Sequence, residues 1–268
     1  MPRGLGRRAR GVIQAREMRR FRTRVSHDPG APLLLLAPHW DDAVFNCWSL
    51  LTSERDVRVI NVFAGIPPGG PPSRWDRICG ASDASSHARR RTAEDAQALA
   101  RTGRTPMNLP LLDAEYREPG LGPSLDDLDK AVRDSTPVGS EVYAPAALGM
   151  NVDHKLVRRY ARGLHAQGMP VHLYADLPYC VAHGWPHWVD GGNPESHRDV
   201  DAFWRTFLVG VPELGDLRAA SVARLEDEDA AAKLSAMRTY RTQFSALDGG
   251  SVLSNPGIHG FEVFWALE

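Results

Sequence analysis

The 268-residue chain predicts an α/β fold, Rossmann-like and three-layered, with a mainly parallel sheet. Three observations carry this. Four consecutive leucines at 33–36 make a short, wholly apolar run of the kind a buried parallel strand shows. A polar cluster and then an apolar stretch of helical character, 43–51, follow it directly. The same order recurs at 141–164, where EVYA is followed by a Gly-containing loop and then by a segment with Leu156, Val157, Tyr160 and Leu164 at helical spacing. Both polar clusters therefore fall between the carboxyl end of a strand and the amino end of a helix, where open α/β sheets bind ligands.

The chain in order supports one large domain, 32–268, behind a basic arm, 1–31. Within the first 25 residues, nine arginines face a single acid, Glu17. Arg7-Arg8 has no apolar stretch after it, so an export signal is rejected. Val12, Ile13, Met18 and Phe21 favour a helix packed on the domain or on a second subunit. Residues 56–63 alternate as a second strand, and the Gly- and Pro-dense 64–76 form a loop at the ligand end of the sheet. A helix is expected over 84–102, a short strand over 107–112 and a helix over 125–133. A long helix over 230–244 and a closing strand over 261–265 complete the series.

Hydrophobic content of 43%, charged content of 24% and a net charge of −1 fit a globular chain and give no global pull toward nucleic acid. Cys47, Cys79 and Cys180 are widely spaced, with no CxxC pair. A reducing cytoplasm fits best, and no apolar run has the length of a membrane span. Homo-oligomerisation is left open.

The first cluster carries the chemistry. His39 and Asp42 lie three apart across a strand-to-helix bend, so an imidazole nitrogen and a carboxylate oxygen can meet at one point. That pair suits zinc, and also iron(II). Asp41 stands between them, placed to take a proton from a metal-bound water. The bland alternative makes Asp42 a helix cap and His39 a turn residue. The second cluster holds Asp153 and His154 at a helix start, and His154 would complete a His, Asp, His site with an open position.

These residues resemble the PIG-L/LmbE-like deacetylases, zinc-dependent enzymes that hydrolyse amides, often on N-acetylglucosamine-type sugars. The family's PHPDDAV motif is met by Pro38-His39-Trp40-Asp41-Asp42-Ala43-Val44, and its HxDH motif in part by Asn151-Val152-Asp153-His154. Weaker echoes lie at 62–67, 89–95, 111–117, 174–179, 233–243 and 261–264. The resemblance implies a metal site at the carboxyl ends of the strands, with His39, Asp42 and His154 holding one Zn2+ per chain, or another divalent ion. It implies Asp41 as general base. It also implies removal of an acyl group, acetyl foremost, from an N-acyl amino sugar or a glycosylated small metabolite.

Two departures stand out. Trp40 replaces a Pro, and would line the mouth or stack on a sugar. Asn151 replaces the first His of the second motif; its amide can still donate to an oxyanion, with Asp153 to orient it, but it cannot carry a proton. Arg91 is expected to point into the site. Trp185, His187 and Trp188, in a Gly/Pro loop with His183, are given a substrate-facing role. Pro186 argues against a regular helix that would let His183 and His187 share a metal. Two rivals remain: a catalytically impaired sugar-binding relative, signalled by Asn151, and an iron(II) oxygenase, whose facial triad uses the same ligand types.

Overall fold

The computed structural model describes residues 30–118, 120–191, 199–211, 214 and 220–267. The basic arm lies outside the described residues, apart from Gly30 and Ala31.

Among the described residues, seven strands form one sheet in the order β3-β2-β1-β4-β5-β7-β6. Strand β1 (Leu33–Ala37) is buried along its whole length, because it lies between parallel β2 (Val57–Asn61) and parallel β4 (Glu141–Pro145). Leu33 pairs with Val57 on one side and Glu141 on the other. Beyond β2 lies β3 (Pro106–Asn108), and beyond β4 lies β5 (Val171–Tyr174), both parallel. Strands β6 (Ala220–Arg224) and β7 (Phe261–Ala266) close that edge antiparallel. The chain winds outward in opposite directions from β1 and β4. A crevice opens at the carboxyl ends of these two strands, the place such sheets use for ligands.

The helices cover the sheet. After the first cluster come α1 (Asp42–Asn46) and α2 (Trp48–Leu51). They are followed by α3 (Arg74–Ile78), α4 (Ala84–Ala100), α5 (Leu125–Arg133) and α6 (Val152–Ala166). The later helices are α7 (His187–Asp190), α8 (Val200–Leu208), α9 (Asp227–Met237) and α10 (Phe244–Leu247). Helix α6 packs on β4, β5 and α5, while α9 packs on α1 and α4.

Several expectations are corrected. The apolar stretch 43–51 is two short helices, broken at Cys47. The break has a partner far away in sequence: the Glu262 carboxylate accepts from the Trp48 and Ser49 backbone N–H groups at 2.6 and 2.9 Å, and is itself held by buried Lys233 at 2.7 Å. The strand expected over 107–112 ends at Asn108, and Phe63 makes only an isolated bridge to Pro110, which has no N–H to extend a ladder. Strands β5 and β6 add to the expected set. Inside the Gly/Pro loop, Ser73 and Asp76 make a reciprocal capping box that starts α3. The last long helix begins at Asp227 and stops at Met237, because the turn after it docks on α4. There Tyr240 donates to Asp95 at 2.8 Å and the Thr242 hydroxyl to Glu94 at 2.6 Å.

Candidate active site

The ends of three adjacent strands supply the site. After β1, the chain turns at Pro38 and the His39 N–H donates to Asp42 Oδ2 at 2.8 Å. Asp42 is the first residue of α1 and makes no cap; Asp41 precedes the helix, also without a side-chain cap bond. The capping alternative therefore does not describe either carboxylate. The folded-back Asp42 Oδ2 stands 3.4 Å from His39 Nδ1 and 3.3 Å from His154 Nε2.

His154 arrives from β4 through a tight loop in which Ala147 and Met150 have positive φ. Gly149 is obligatory there, since a Cβ would lie within the Tyr179 ring. Asn151 caps α6: its Oδ1 accepts from the Asp153 N–H at 2.8 Å, which leaves its amide N–H2 group turned to other partners. From the end of β5 comes Asp176, which meets His154 Nδ1 at 2.8 Å and accepts from the Leu148 N–H at 2.7 Å.

Each imidazole thus has a carboxylate on both nitrogens. His39 Nε2 lies 3.2 Å from Asp153 Oδ2 and 3.6 Å from Asp113 Oδ2. Burial opposes protonation of both rings. The carboxylates outweigh it, holding His39 well above its ordinary pKa and His154 up at about 10. Asp42 is buried too, yet the two imidazoles hold it well below the carboxylate range. Asp41 moves the other way: burial and the adjacent Asp42 charge raise it, against the pull of Arg91 and His39.

Behind Asp41 stands a fixed scaffold. Arg91 is buried, with its guanidinium 4.4 Å from the Trp40 ring centroid and one nitrogen 4.0 Å from Asp41 Oδ1. Gln243, with its amide oriented to suit its neighbours, donates to Asp41 Oδ2 at 2.6 Å and accepts from Arg91. The groups open onto a cavity of about 240 Å³. Its floor includes His39, Asp41, Asp42, Arg91 and His154; Trp75, Glu115, Asn151 and Tyr179 also line it.

No family profile and no curated protein matches this chain. Solved structures do. A triple mutant of a deacetylase involved in teicoplanin biosynthesis is 28% identical, with a TM-score of 0.64 over 89% of this chain and 98% of that one. A zinc-inhibited form of a teicoplanin deacetylase is 24% identical, TM-score 0.61, over 89% and 98%. An N,N'-diacetylchitobiose deacetylase from Pyrococcus horikoshii, in complex with an inhibitor, is 17% identical and shares the fold, TM-score 0.51, over 99% and 94%. These structural neighbours are deacetylases of the PIG-L/LmbE-like family, and this chain is similar to them in fold.

The donor set fits a divalent metal. One ligand atom each from His39, Asp42 and His154 lies within 4.8 Å of the others, and all three residues are buried. Two imidazoles and one carboxylate leave a position open, and each ring keeps a second carboxylate on its far nitrogen, as metal-bound histidines do. His39, Asp113 and Asp153 form an overlapping group of the same size, but the Asp153 carboxylate is already taken by Arg117 and the Ala114 N–H.

The structure corrects the role expected of Asp153. Its carboxylate faces His39, not Asn151, and the Asn151 bond runs to its backbone. Trp40 is 1% exposed beneath Arg91 and is not among the cavity-lining residues, because the guanidinium covers its ring. The Trp-rich loop is turned into the fold. Trp185 stacks on Trp204 and donates to the Ile258 carbonyl at 2.8 Å, while Trp188 lies edge-on to Trp204. His187 begins the single-turn α7, its N–H donating to Asp201, and His183 packs on Phe203. None of Trp185, His187 and Trp188 lines the cavity; Arg91 does.

Sequence reasoning assigned no role to Asp113, Arg117, Asp176, Tyr179 or Gln243. All five fall on segments whose likeness to the family is visible, 111–117, 174–179 and 233–243, and that likeness is the signal that marks them.

Proposed function

We propose that this protein is a metal-dependent hydrolase that removes an acyl group, acetyl foremost, from the amide nitrogen of an N-acyl amino sugar or a glycosylated small metabolite. The convergence of His39, Asp42 and His154 on one point, with Asp41 beside them on the floor of a cavity, carries this reading. The likeness to teicoplanin-pathway and diacetylchitobiose deacetylases supports deacetylation of a sugar-borne amide, and one of these neighbours is a zinc-inhibited form.

His39, Asp42 and His154 would hold the ion, with Asp176 and Asp153 fixing the imidazole planes. A bound zinc supplies Lewis-acid polarisation of the amide carbonyl and acidifies water. Asp41 takes the proton of the attacking water and returns it to the leaving amine. Its pKa is raised by burial and by Asp42, which makes it the better proton carrier. Asn151 commits its oxygen to the helix cap, so its amide nitrogen is the donor left for the oxyanion. Arg91 and Gln243 keep the Asp41 carboxylate in place.

Metal analysis of the purified chain, with mass-spectrometric screening against N-acetylglucosaminides and glycosylated metabolites, tests this. A loss of 42 Da, the mass change of deacetylation, is the expected result. Zinc-loaded protein that hydrolyses none of these amides would refute it.

A further inference from the structure

We propose that Trp75 and Glu115 form a saccharide subsite in the wall of the cavity, in which the Trp75 indole stacks on the pyranose ring that carries the amide. This rests on the hydrolase reading above and adds which part of the substrate is gripped, and by what.

Trp75 sits on α3, a five-residue helix in a loop dense in Gly and Pro, yet it is firmly rooted. The next residue, Asp76, is wholly buried. Its Oδ2 accepts from the Ser73 N–H and its Oδ1 from the Tyr116 hydroxyl, both at 2.8 Å. Buried His87 stands 3.7 Å from the same Oδ1. The Trp75 backbone N–H points at Glu115 Oε2, 3.3 Å away, so the two residues are tied together in the cavity wall.

This anchoring contrasts with what the two side chains themselves do. Most of the molecule's tryptophans, including Trp40, Trp48, Trp185, Trp204 and Trp265, are buried. Trp75 stays half-buried and Glu115 exposed, and both line the same cavity as the His39–Asp42–His154 cluster. A half-buried indole carried on an anchored turn and lining the cavity presents a flat apolar surface at low entropic cost on binding. One face of a pyranose is a patch of C–H bonds that packs on such a surface. The hydroxyls around its edge are donors that a carboxylate can accept. An indole beside a carboxylate therefore matches a sugar better than it matches a peptide or a simple amide.

The test compares the full zinc-loaded chain with Trp75→Ala, Trp75→Phe and Glu115→Gln, on methyl N-acetyl-β-glucosaminide and on N-acetylethanolamine, an amide without a sugar. Trp75→Ala should raise KM for the glucosaminide about tenfold, with little change in kcat and none in turnover of the sugarless amide. Trp75→Phe should keep most of the affinity, and Glu115→Gln should lose a few-fold. Equal losses on both amides would make Trp75 merely structural, and no loss on either would remove it from the site. Should no protein hydrolyse anything, ligand-observed NMR with N-acetylglucosamine decides separately. Binding that weakens in Trp75→Ala upholds the subsite while the hydrolase reading falls; binding that does not weaken, or no binding by wild type, overturns the subsite.

Discussion

The side chains at the cavity floor divide the work by what each can still offer once its structural bonds are made. Asp42 is committed to two imidazoles and to the His39 N–H, whereas Asp41 is held by Gln243 and faces Arg91 from 4.0 Å. Asp41→Asn should keep the metal and reduce turnover by about 10²–10⁴-fold, the range for loss of a general base. Metal content by mass spectrometry checks the first half, and metal loss would make Asp41 a ligand. Asn151 offers only its amide nitrogen. Truncation to Ala should slow kcat by about 10²–10³-fold, as loss of an oxyanion donor does, and should also weaken the start of α6. Asn151→Ser, which restores the cap without the amide, separates the two effects: recovery of melting temperature without recovery of kcat is expected. Asp176 acts through His154. Asp176→Asn should weaken metal affinity by about 10–100-fold, read by competition with a chromophoric chelator, and unchanged affinity would reduce Asp176 to a partner for the Leu148 N–H.

Helices and turns place these side chains through contacts made far along the chain. The start of α2 rests on Glu262, and Glu262 on Lys233, which is wholly buried. Lys233→Ala leaves the Glu262 carboxylate buried without its cation, a change of the class that costs about 3–5 kcal/mol. Chemical denaturation should show it as a lowered midpoint. Lys233→Met with Glu262→Gln should recover part of the loss, because the uncompensated charge is gone; no recovery would mean that the pair's hydrogen bonds, not its charges, hold α2. The turn after α9 works similarly. Tyr240, Thr242 and Gln243 all reach α4 or its arginine, so the C-terminal segment braces Asp41 of the first motif against α4.

Across the fold, the His39–Asp42–His154 cluster couples protons to stability. The folded pKa of His154, about 10, lies above its unfolded value, and His39 shifts in the same direction. In the metal-free protein this stabilisation is complete below about pH 6.5 and is lost as pH rises toward the folded values. Asp42 shifts oppositely, so its contribution is present above about pH 4 and is lost as pH falls through its lowered folded value. Relative to a His154→Gln variant, metal-free wild type should therefore lose its advantage in denaturation midpoint between pH 6.5 and 10. Uptake of zinc at pH 7.5 should release a proton from each imidazole, measured by calorimetry in buffers of different ionisation enthalpy. Uptake without proton release would contradict the protonated pair.

The alternation of strand and helix was legible in residues 33–63 and 141–164 because buried parallel strands are continuous apolar runs and helices repeat near 3.6 residues. The convergence of His39, Asp42 and His154 was legible for a related reason: each follows a strand end, so topology alone brings them to one edge. Residues whose partners are distant in sequence were not. Nothing local shows that Glu262 would break the first helix in two, or that the turn at 238–243 would end the last long one. Nor does anything local tell that Asp153 would face His39, or that the aromatic run at 185–188 would turn inward onto Trp204. A loop side chain finds its partner only after packing has set the distances, and a desolvated charge takes whichever counter-charge the fold leaves within reach. The sequence determined which chemistry this chain carries, because strand ends and ligand types are local. Tertiary packing decided which carboxylate orients each imidazole and which tryptophan lines the cavity.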